Sequence, residues 1–193
     1  MNIKTFFFCS VFCIKSIFCL ASSDTTHKKG FAGGMFYGLG TFDIENDFTK
    51  TIANSNVIGG RLGYYFSENI FAGIMGNSST LHYKNQSYIR YTYFGFVSEF
   101  KFPFKKFAIS PGLWLGGGIM RNLHLESLEN GKIKDGYIQK QYSLFAYPYL
   151  NISYKASKKL YLHLIAEYIH PQLNNSSIQI QGSNIRFGLM FQR

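Results

Sequence analysis

The feature that most restricts the fold of this chain is an alternation of apolar residues with polar or small residues at a period of two. Between residues 184 and 191, one face carries only apolar side chains, those of Ile185, Phe187, Leu189 and Phe191. The same alternation runs through 56–66 and 160–168. Because successive side chains of a β-strand point to opposite sides, the pattern predicts strands with one apolar face.

Continued along the chain, the alternation predicts eight strands near 31–42, 56–66, 70–81, 89–101, 107–120, 140–153, 159–169 and 184–193. The connections differ in length: three are short (67–69, 102–106 and 154–158) and four are longer (43–55, 82–88, 121–139 and 170–183). Short turns at one end and long loops at the other are typical of up-and-down barrels in the outer membrane. The predicted fold of 22–193 is therefore an all-β, eight-stranded antiparallel transmembrane barrel, with both termini at the short-turn, periplasmic end.

Composition favours lipid as the surroundings of this barrel. The chain has 20 Phe, 14 Tyr and 19 Gly, yet its mean hydropathy is only −0.05, which argues against a helical membrane protein. A sheet in lipid must close on itself, with its apolar face outward. The second face is small and polar, as at Gly59, Gly63, Gly116 and Gly118, and is poorly suited to fill the core of a soluble barrel. A secreted β-sandwich or lipocalin-like barrel is the alternative.

Aromatic residues near the strand ends predict a girdle at the two membrane interfaces, where amphipathic rings are favoured. The residues assigned to it are Tyr64, Tyr65, Phe66, Tyr88, Tyr91, Tyr93, Tyr147, Tyr149 and Tyr168.

The first 21 residues have the composition of a signal peptide that is removed after export. Lys4 gives a positive start, an apolar run follows over 6–14, and Ala21 ends a stretch suited to signal-peptidase cleavage. A retained anchor, or a lipoprotein modified at Cys19, are the alternatives. The cysteines of the chain are at 9, 13 and 19, so the processed chain would hold no disulfide and no thiolate metal site.

Several segments resemble the small outer-membrane barrels of the OmpA/OmpX type, in particular members that consist of the barrel alone. Residues 60–71 resemble the second hairpin of that family, 110–118 its fifth strand and 162–168 its seventh. At the C-terminus, Arg186, Gly188 and Phe191 are similar to the signal read by the barrel assembly machinery, although Arg193 stands where the last aromatic residue is expected. The resemblance implies a Gram-negative-type outer membrane, with its lipid and that machinery as partners.

Five charged or titratable residues fall on the predicted inward faces: Arg61, Glu99, His163, Glu167 and Arg186. Charges inside a narrow barrel must pair, and Arg186 with Glu167 is the favoured pair because strands seven and eight are neighbours. Such a network could line a small gated pore or form a plug. An eight-stranded barrel encloses little more than its own side chains, which favours the plug.

No catalytic, metal or cofactor site is predicted. The pattern to look for in eight-stranded outer-membrane lipases is His-x-Ser. No histidine of this chain is followed by serine two residues later. Lysines at the short turns are expected to meet phospholipid headgroups. The predicted signal peptide argues against a nucleic-acid partner, and we expect a monomer.

Function is expected in the long loops 43–55, 121–139 and 170–183, because binding residues are often carried by loops on a rigid scaffold. The alternation over 177–181 suggests that strands seven and eight protrude as a ribbon whose edge captures a partner by strand addition. The first hypothesis is a non-enzymatic surface protein that binds host or extracellular macromolecules. The alternatives are a narrow pore and a purely structural barrel.

Overall fold

The computed structural model describes residues 29–46, 49–82, 88–129, 132–173 and 178–192. It contains ten β-strands: β1 (Gly30–Asn46), β2 (Thr49–Tyr65), β3 (Ile70–His82), β4 (Tyr88–Phe100), β5 (Phe102–Phe104), β6 (Phe107–Glu129), β7 (Lys132–Lys155), β8 (Leu160–Ile169), β9 (Gln172–Leu173) and β10 (Ile178–Gln192). β5 and β9 are short segments, whereas the other eight strands have 10 to 24 residues. Within the described residues, no helix is long and apolar enough to cross a membrane.

The eight long strands form one closed antiparallel barrel. Neighbours along the chain pair with each other, and β1 pairs with β10 from Ala32↔Gln192 to Asn46↔Ile178. Closure satisfies the backbone hydrogen bonds around the wall, which is what lipid demands of a sheet. The predicted fold class, an eight-stranded up-and-down barrel, is confirmed. The end that carries turns 66–69, 101–106 and 156–159 is called the short-turn end, and the opposite end the long-hairpin end.

The strands extend much further at the long-hairpin end than the sequence pattern predicts. The β1–β2 hairpin is paired up to Asn46↔Thr49, and the β6–β7 hairpin up to Glu129↔Lys132. The assignments of 43–55 and 121–139 as loops are therefore wrong. The apolar alternation stops where the side chains no longer face lipid, but backbone pairing does not depend on it and continues.

The last predicted loop, 170–183, is also partly strand. β10 begins at Ile178, and its first residues pair with β1 instead of β8, which ends at Ile169. The seventh and eighth predicted strands are β8 and β10. The prediction that they protrude together is therefore wrong, since β10 protrudes with β1 and β2. Residues 174–177 lie outside the described residues, as do residues 1–28 with the predicted signal peptide.

The outer face of the wall is a belt of apolar side chains. Phe96 and Leu144 are 73% and 74% exposed, and the belt continues around the barrel. Its further members include Phe31, Met35, Leu39, Ile58, Leu62, Phe94, Leu113, Leu115, Leu162, Ile185, Phe187 and Phe191. An exposed apolar surface of this extent is typical of a face that contacts another apolar phase.

The inner face is richer in rings than the sequence pattern predicts. Five tyrosines assigned to the interfacial girdle lie inside the barrel and are at most 5% exposed, namely Tyr65, Tyr91, Tyr93, Tyr147 and Tyr149. Their assignment to the girdle is wrong, because the alternation that places Glu99 inside also places Tyr91 and Tyr93 inside. Tyr168 and Phe66 do face outward.

Inward glycines create the space for these rings. A Cβ atom added to Gly118 would lie 2.6 Å from the Tyr91 ring, and one added to Gly112 would overlap the Tyr149 ring. The inward face is therefore not uniformly small, as the sequence suggested, but alternates small residues with large ones across neighbouring strands.

Two prolines interrupt the hydrogen-bond ladders of the wall. Proline has no N–H to donate. Pro111 lies where the pairing of β6 changes from β4 to β5, between Glu99↔Gly112 and Phe102↔Ile109. Pro148 precedes the first β7–β8 pair, Tyr149↔Glu167, although β8 continues to Ile169.

Candidate functional site: lumenal clusters and surface ribbons

The lower cluster lies in the lumen toward the short-turn end and consists of Arg61, Glu99, Asn151 and His163. The Arg61 guanidinium forms an ion pair with Glu99 Oε1. Asn151 Nδ2 donates to both Glu99 oxygens, at 3.2 and 3.1 Å, and Asn151 Oδ1 lies 2.8 Å from His163 Nδ1. Because an amide oxygen only accepts, this shorter contact assigns the His163 proton to Nδ1. Arg61 Nη2, 3.4 Å from the same nitrogen, then makes no hydrogen bond to it. The cluster thus links β2, β4, β7 and β8 across the lumen.

The upper cluster lies toward the long-hairpin end and consists of Arg186, Glu167, Tyr93 and Asn184. Arg186 Nη2 is 2.6 Å from Glu167 Oε2. Glu167 Oε1 accepts from the Tyr93 hydroxyl at 3.0 Å and from Asn184 Nδ2 at 2.9 Å. The Glu167 carboxylate therefore receives three donors from two other strands, β4 and β10, as a buried charge requires.

Aromatic rings separate the two buried arginines. The Phe36 ring centroid is 5.6 Å from Arg61 Cζ and 5.8 Å from Arg186 Cζ. Phe71 lies 4.8 Å from the Arg61 guanidinium carbon, and Trp114 lies 5.8 Å from that of Arg186. Cation–π contacts of this kind are favourable, the more so away from water.

A layer of tyrosines fills the lumen beside the upper cluster. The Tyr91 hydroxyl is 2.8 Å from Ser143 Oγ and 3.2 Å from the Tyr147 hydroxyl. The Tyr91 and Tyr93 rings are stacked with centroids 4.8 Å apart, and the Tyr147 ring is stacked on Phe145 at 4.4 Å. Together with the two ion-pair clusters, these rings give the lumen the packing of a protein core.

All five lumenal residues taken from the sequence lie inside the barrel, and four of them form two ion pairs. Glu167 pairs with Arg186, Glu99 pairs with Arg61, and His163 joins the lower cluster. Sequence reasoning missed Asn151, Tyr93 and Asn184, which complete the clusters. The inward phase of the alternation carries these residues too, but polar uncharged side chains gave no reason to select them.

The chemistry available to His163 is limited by its surroundings. Its Nδ1 is hydrogen-bonded to the Asn151 amide oxygen. Its ring packs edge-on against the Phe36 ring, with the centroids 6.2 Å apart. Among the described residues, no group of three or more His, Cys, Asp or Glu side chains could hold a metal ion.

Lys101 occupies the short-turn end of the lumen, in the segment between β4 and β5. Its ammonium lies 5.3 Å from the Tyr65 ring centroid and 5.1 Å from that of Tyr161. Burial lowers the pKa of this ammonium to about 8, and the neighbouring Lys155 charge lowers it further, whereas Glu99 opposes the shift. The charged form of Lys101 is therefore less favourable than that of a lysine in water.

Two surface ribbons protrude at the long-hairpin end. The three-stranded ribbon consists of 178–181, 43–46 and 49–54, and the two-stranded ribbon of 124–129 and 132–142. β2 meets β3 only from Ser55↔Leu81 onward, and β10 meets β8 only from Gly182↔Ile169. In the described part of the chain, both outer edges of the three-stranded ribbon therefore lack a neighbouring strand.

Three residues match the assembly signal of the family that the sequence resembles. Arg186 and Gly188 face the lumen, where Arg186 is ion-paired, and Phe191 faces outward with 61% exposure. Their recognition by an assembly machinery stays a prediction.

No protein-family model and no curated protein sequence matches the chain. Solved structures do match. Neisserial surface protein A has a TM-score of 0.63 at 10% identity, over 86% of this chain and 100% of that chain. Ail, the attachment invasion locus protein of Yersinia pestis, has a TM-score of 0.52 at 10% identity, over 86% and 100%. The outer membrane protein OprG from Pseudomonas aeruginosa has a TM-score of 0.51 at 12% identity, over 88% and 99%.

Such low identities establish the fold and leave the task of each protein its own. Closed eight-strand topology, an apolar outer belt and likeness over nearly the whole length of these structures agree with one another. The chain has the fold of the small eight-stranded outer-membrane β-barrels.

Proposed function

We propose that this protein is an integral barrel of a Gram-negative-type outer membrane that binds external macromolecules through its two surface ribbons and has no enzymatic activity. The observation that carries the proposal is that, among the described residues, neither outer edge of the three-stranded ribbon has a neighbouring strand. Exposed edges present backbone donors and acceptors to an incoming strand, so host or extracellular proteins could add to the sheet.

The composition of the three-stranded ribbon supports an adhesive role more than a structural one. Ile52, on the outer strand β2, is 69% exposed, and Thr41 and Asn54 are exposed nearby. An exposed apolar side chain beside an open edge is what natural sheets avoid unless the edge is used. The segments involved are those in which the sequence placed binding, 43–55, 121–139 and 170–183.

The packed lumen supports a barrel that does not conduct. Two ion-pair clusters and the rings between them occupy the space that water would need. A narrow pore and a purely structural barrel are the rival functions. Planar-bilayer recording of refolded protein distinguishes the pore from the other functions. Discrete openings would favour a pore, and a silent bilayer would favour the plug.

Shortening each hairpin in register tests the adhesive role. One variant joins His124 to Tyr137, and another joins Asp43 to Ile52, each through an Asn-Gly turn, since these residues are directly paired. We expect both variants to keep heat-modifiable gel mobility, because the lumenal clusters are intact. Binding of cells that display the variants to immobilised extracellular-matrix extract should fall, most for the β1–β2 variant. Unchanged binding by both would contradict the proposal.

We include export and assembly in the proposal: residues 1–21 are removed as a signal peptide, and Arg186, Gly188 and Phe191 are read by the barrel assembly machinery. Phe191→Ala should slow the appearance of the heat-modifiable form in cells. Phe187→Ala is the matched control, because Phe187 is equally exposed on the same strand (64% against 61%) but lies outside the motif. Equal assembly of both variants would remove Phe191 from the signal.

A further inference from the structure

Three cationic side chains lie next to one another on the outer surface of the wall. The register pairs Arg90 of β4 directly with Arg121 of β6, and Arg121 directly with Lys140 of β7. All three side chains are exposed. Neighbouring strands are about 4.8 Å apart, so the three residues span roughly 10 Å across the sheet. We call them the cationic row.

The cationic row is electrostatically unfavourable on its own. Like charges directly opposite each other on neighbouring strands destabilise a sheet, and the repulsion increases near lipid, where the effective dielectric constant is low. Within the described part of the chain, no carboxylate forms an ion pair with the row, and the Arg90 guanidinium instead lies 5.8 Å from the Tyr88 ring centroid. An anion placed on the row would relieve this repulsion.

The surroundings of the row indicate which kind of anion fits. Two and four residues from Lys140 toward the short-turn end, Tyr142 and Leu144 are 62% and 74% exposed on the same face. On β4, the same direction from Arg90 leads to Phe94, which is 56% exposed. The row thus borders the apolar belt at the long-hairpin end. A ligand that covers both surfaces must carry its anionic group next to apolar chains.

We propose that the cationic row binds the phosphate of an acidic lipid in the outer leaflet, whose acyl chains lie on the apolar belt beside Tyr142 and Leu144. The proposal rests on the membrane insertion proposed above. It assigns a ligand to the outer wall of the barrel, separate from the protein-binding edges of the ribbons. A soluble polyanion would have no reason to bind where exposed apolar side chains begin.

The test compares two charge-matched triple variants of the full chain. R90Q/R121Q/K140Q removes the row, and K105Q/K106Q/K158Q removes three exposed lysines at the short-turn end. Each protein is refolded into phosphatidylcholine vesicles that contain phosphorylated lipid A or the same lipid without its phosphates. Retained lipid A is then measured by native mass spectrometry after extraction in mild detergent. Heat-modifiable mobility reports membrane insertion separately, so a failure of insertion is distinguished from a failure of the site.

We expect the wild type and the short-turn variant to retain phosphorylated lipid A, and R90Q/R121Q/K140Q to retain at least about tenfold less, given the contribution of each cation near an anionic surface. If the triple variant does not refold, Arg121→Gln is used instead, because Arg121 is central in the row. Retention that is the same in both triple variants, or the same without the phosphates, would overturn the proposal. Displacement of the lipid by inorganic phosphate or by a sulfated polysaccharide would also overturn it, since either result assigns the row to a soluble anion.

Discussion

The inner and outer faces of the barrel wall are built from the same strands but place different demands on each residue. On the inner face, Glu167 meets three specific donors, one from β4 across the lumen and two from β10. On the outer face, Phe96 is 73% exposed, and lipid can adapt to its shape. The difference teaches that specific side-chain pairing in the wall lies in the lumen, whereas the apolar belt of the outer face has only to be apolar. Substitutions on paired positions of the two faces can break or sharpen this contrast.

Removal of one partner of a lumenal ion pair should have the largest effect. Glu167→Ala leaves the buried Arg186 cation without its carboxylate, and the expected loss is about 3 to 5 kcal/mol of unfolding free energy. Urea unfolding in vesicles, followed by the fluorescence of the single Trp114, measures it. The double variant E167Q/R186M should recover part of the loss, because it removes both charges. A double variant that is less stable than Glu167→Ala would show that the pair itself matters less than packing.

A charge on the outer face should come next. Phe96→Lys places an ammonium on the apolar belt and should cost about 2 to 4 kcal/mol in the bilayer if this position is near the midplane. Phe96→Leu is the matched control and should change the unfolding free energy little, because lipid fills the difference in shape. Equal stabilities for the lysine and leucine variants would contradict a lipid-facing position.

Substitutions of two neighbouring glycines give the most closely matched comparison of the two faces. The Cβ of Gly118→Ala would meet the Tyr91 ring at 2.6 Å, so the ring must move, and we expect a loss of about 1 to 3 kcal/mol. The Cβ of Gly117→Ala points outward, and its nearest atom is the Ser143 carbonyl oxygen at 3.4 Å. This substitution should therefore change the unfolding free energy little. The reverse order of the two effects in the same urea assay would mean that the faces are assigned the wrong way round.

The sequence predicted the strands of the barrel wall far better than the contacts inside the lumen or the ribbons at the long-hairpin end. Alternation sufficed for eight strands and for the inward position of Arg61, Glu99, His163, Glu167 and Arg186, since a period of two needs no knowledge of neighbours. The partners needed the register between strands, which one sequence does not contain. Asn151 between Glu99 and His163 is an example.

The errors have two physical origins. Tyr91 and Tyr93 were assigned to an interface because tyrosine is amphipathic, but a glycine such as Gly118 on the opposite strand creates room for a ring inside. The ribbons were assigned to loops because polar strands lose the apolar alternation on which the prediction depends. Backbone pairing persists there without it.

A separate expected effect concerns pH at the short-turn end. The pKa of Lys101 is about 8 in the folded barrel and near its ordinary value of 10.5 when unfolded. Below pH 8 both states are protonated and the cost of the buried charge is fully present. Between pH 8 and 10.5 the folded state releases its proton first, so this group makes stability rise with pH, by at most about 1.4 kcal/mol per pH unit. Lys101→Met should lack that rise in urea titrations across the range, and an identical pH profile would contradict the shift.

The central claim is that the wall is apolar toward lipid and packed toward the lumen. Residues 22–193 contain no cysteine, so single cysteines at Phe96 and Val97 can carry a fluorescent label without interference. These neighbours on β4 are 73% and 2% exposed. In vesicles with a quencher attached to the acyl chains, a label at 96 should be strongly quenched and one at 97 protected. Equal quenching at both positions, or a chain that stays monomeric in water without detergent, would contradict the claim.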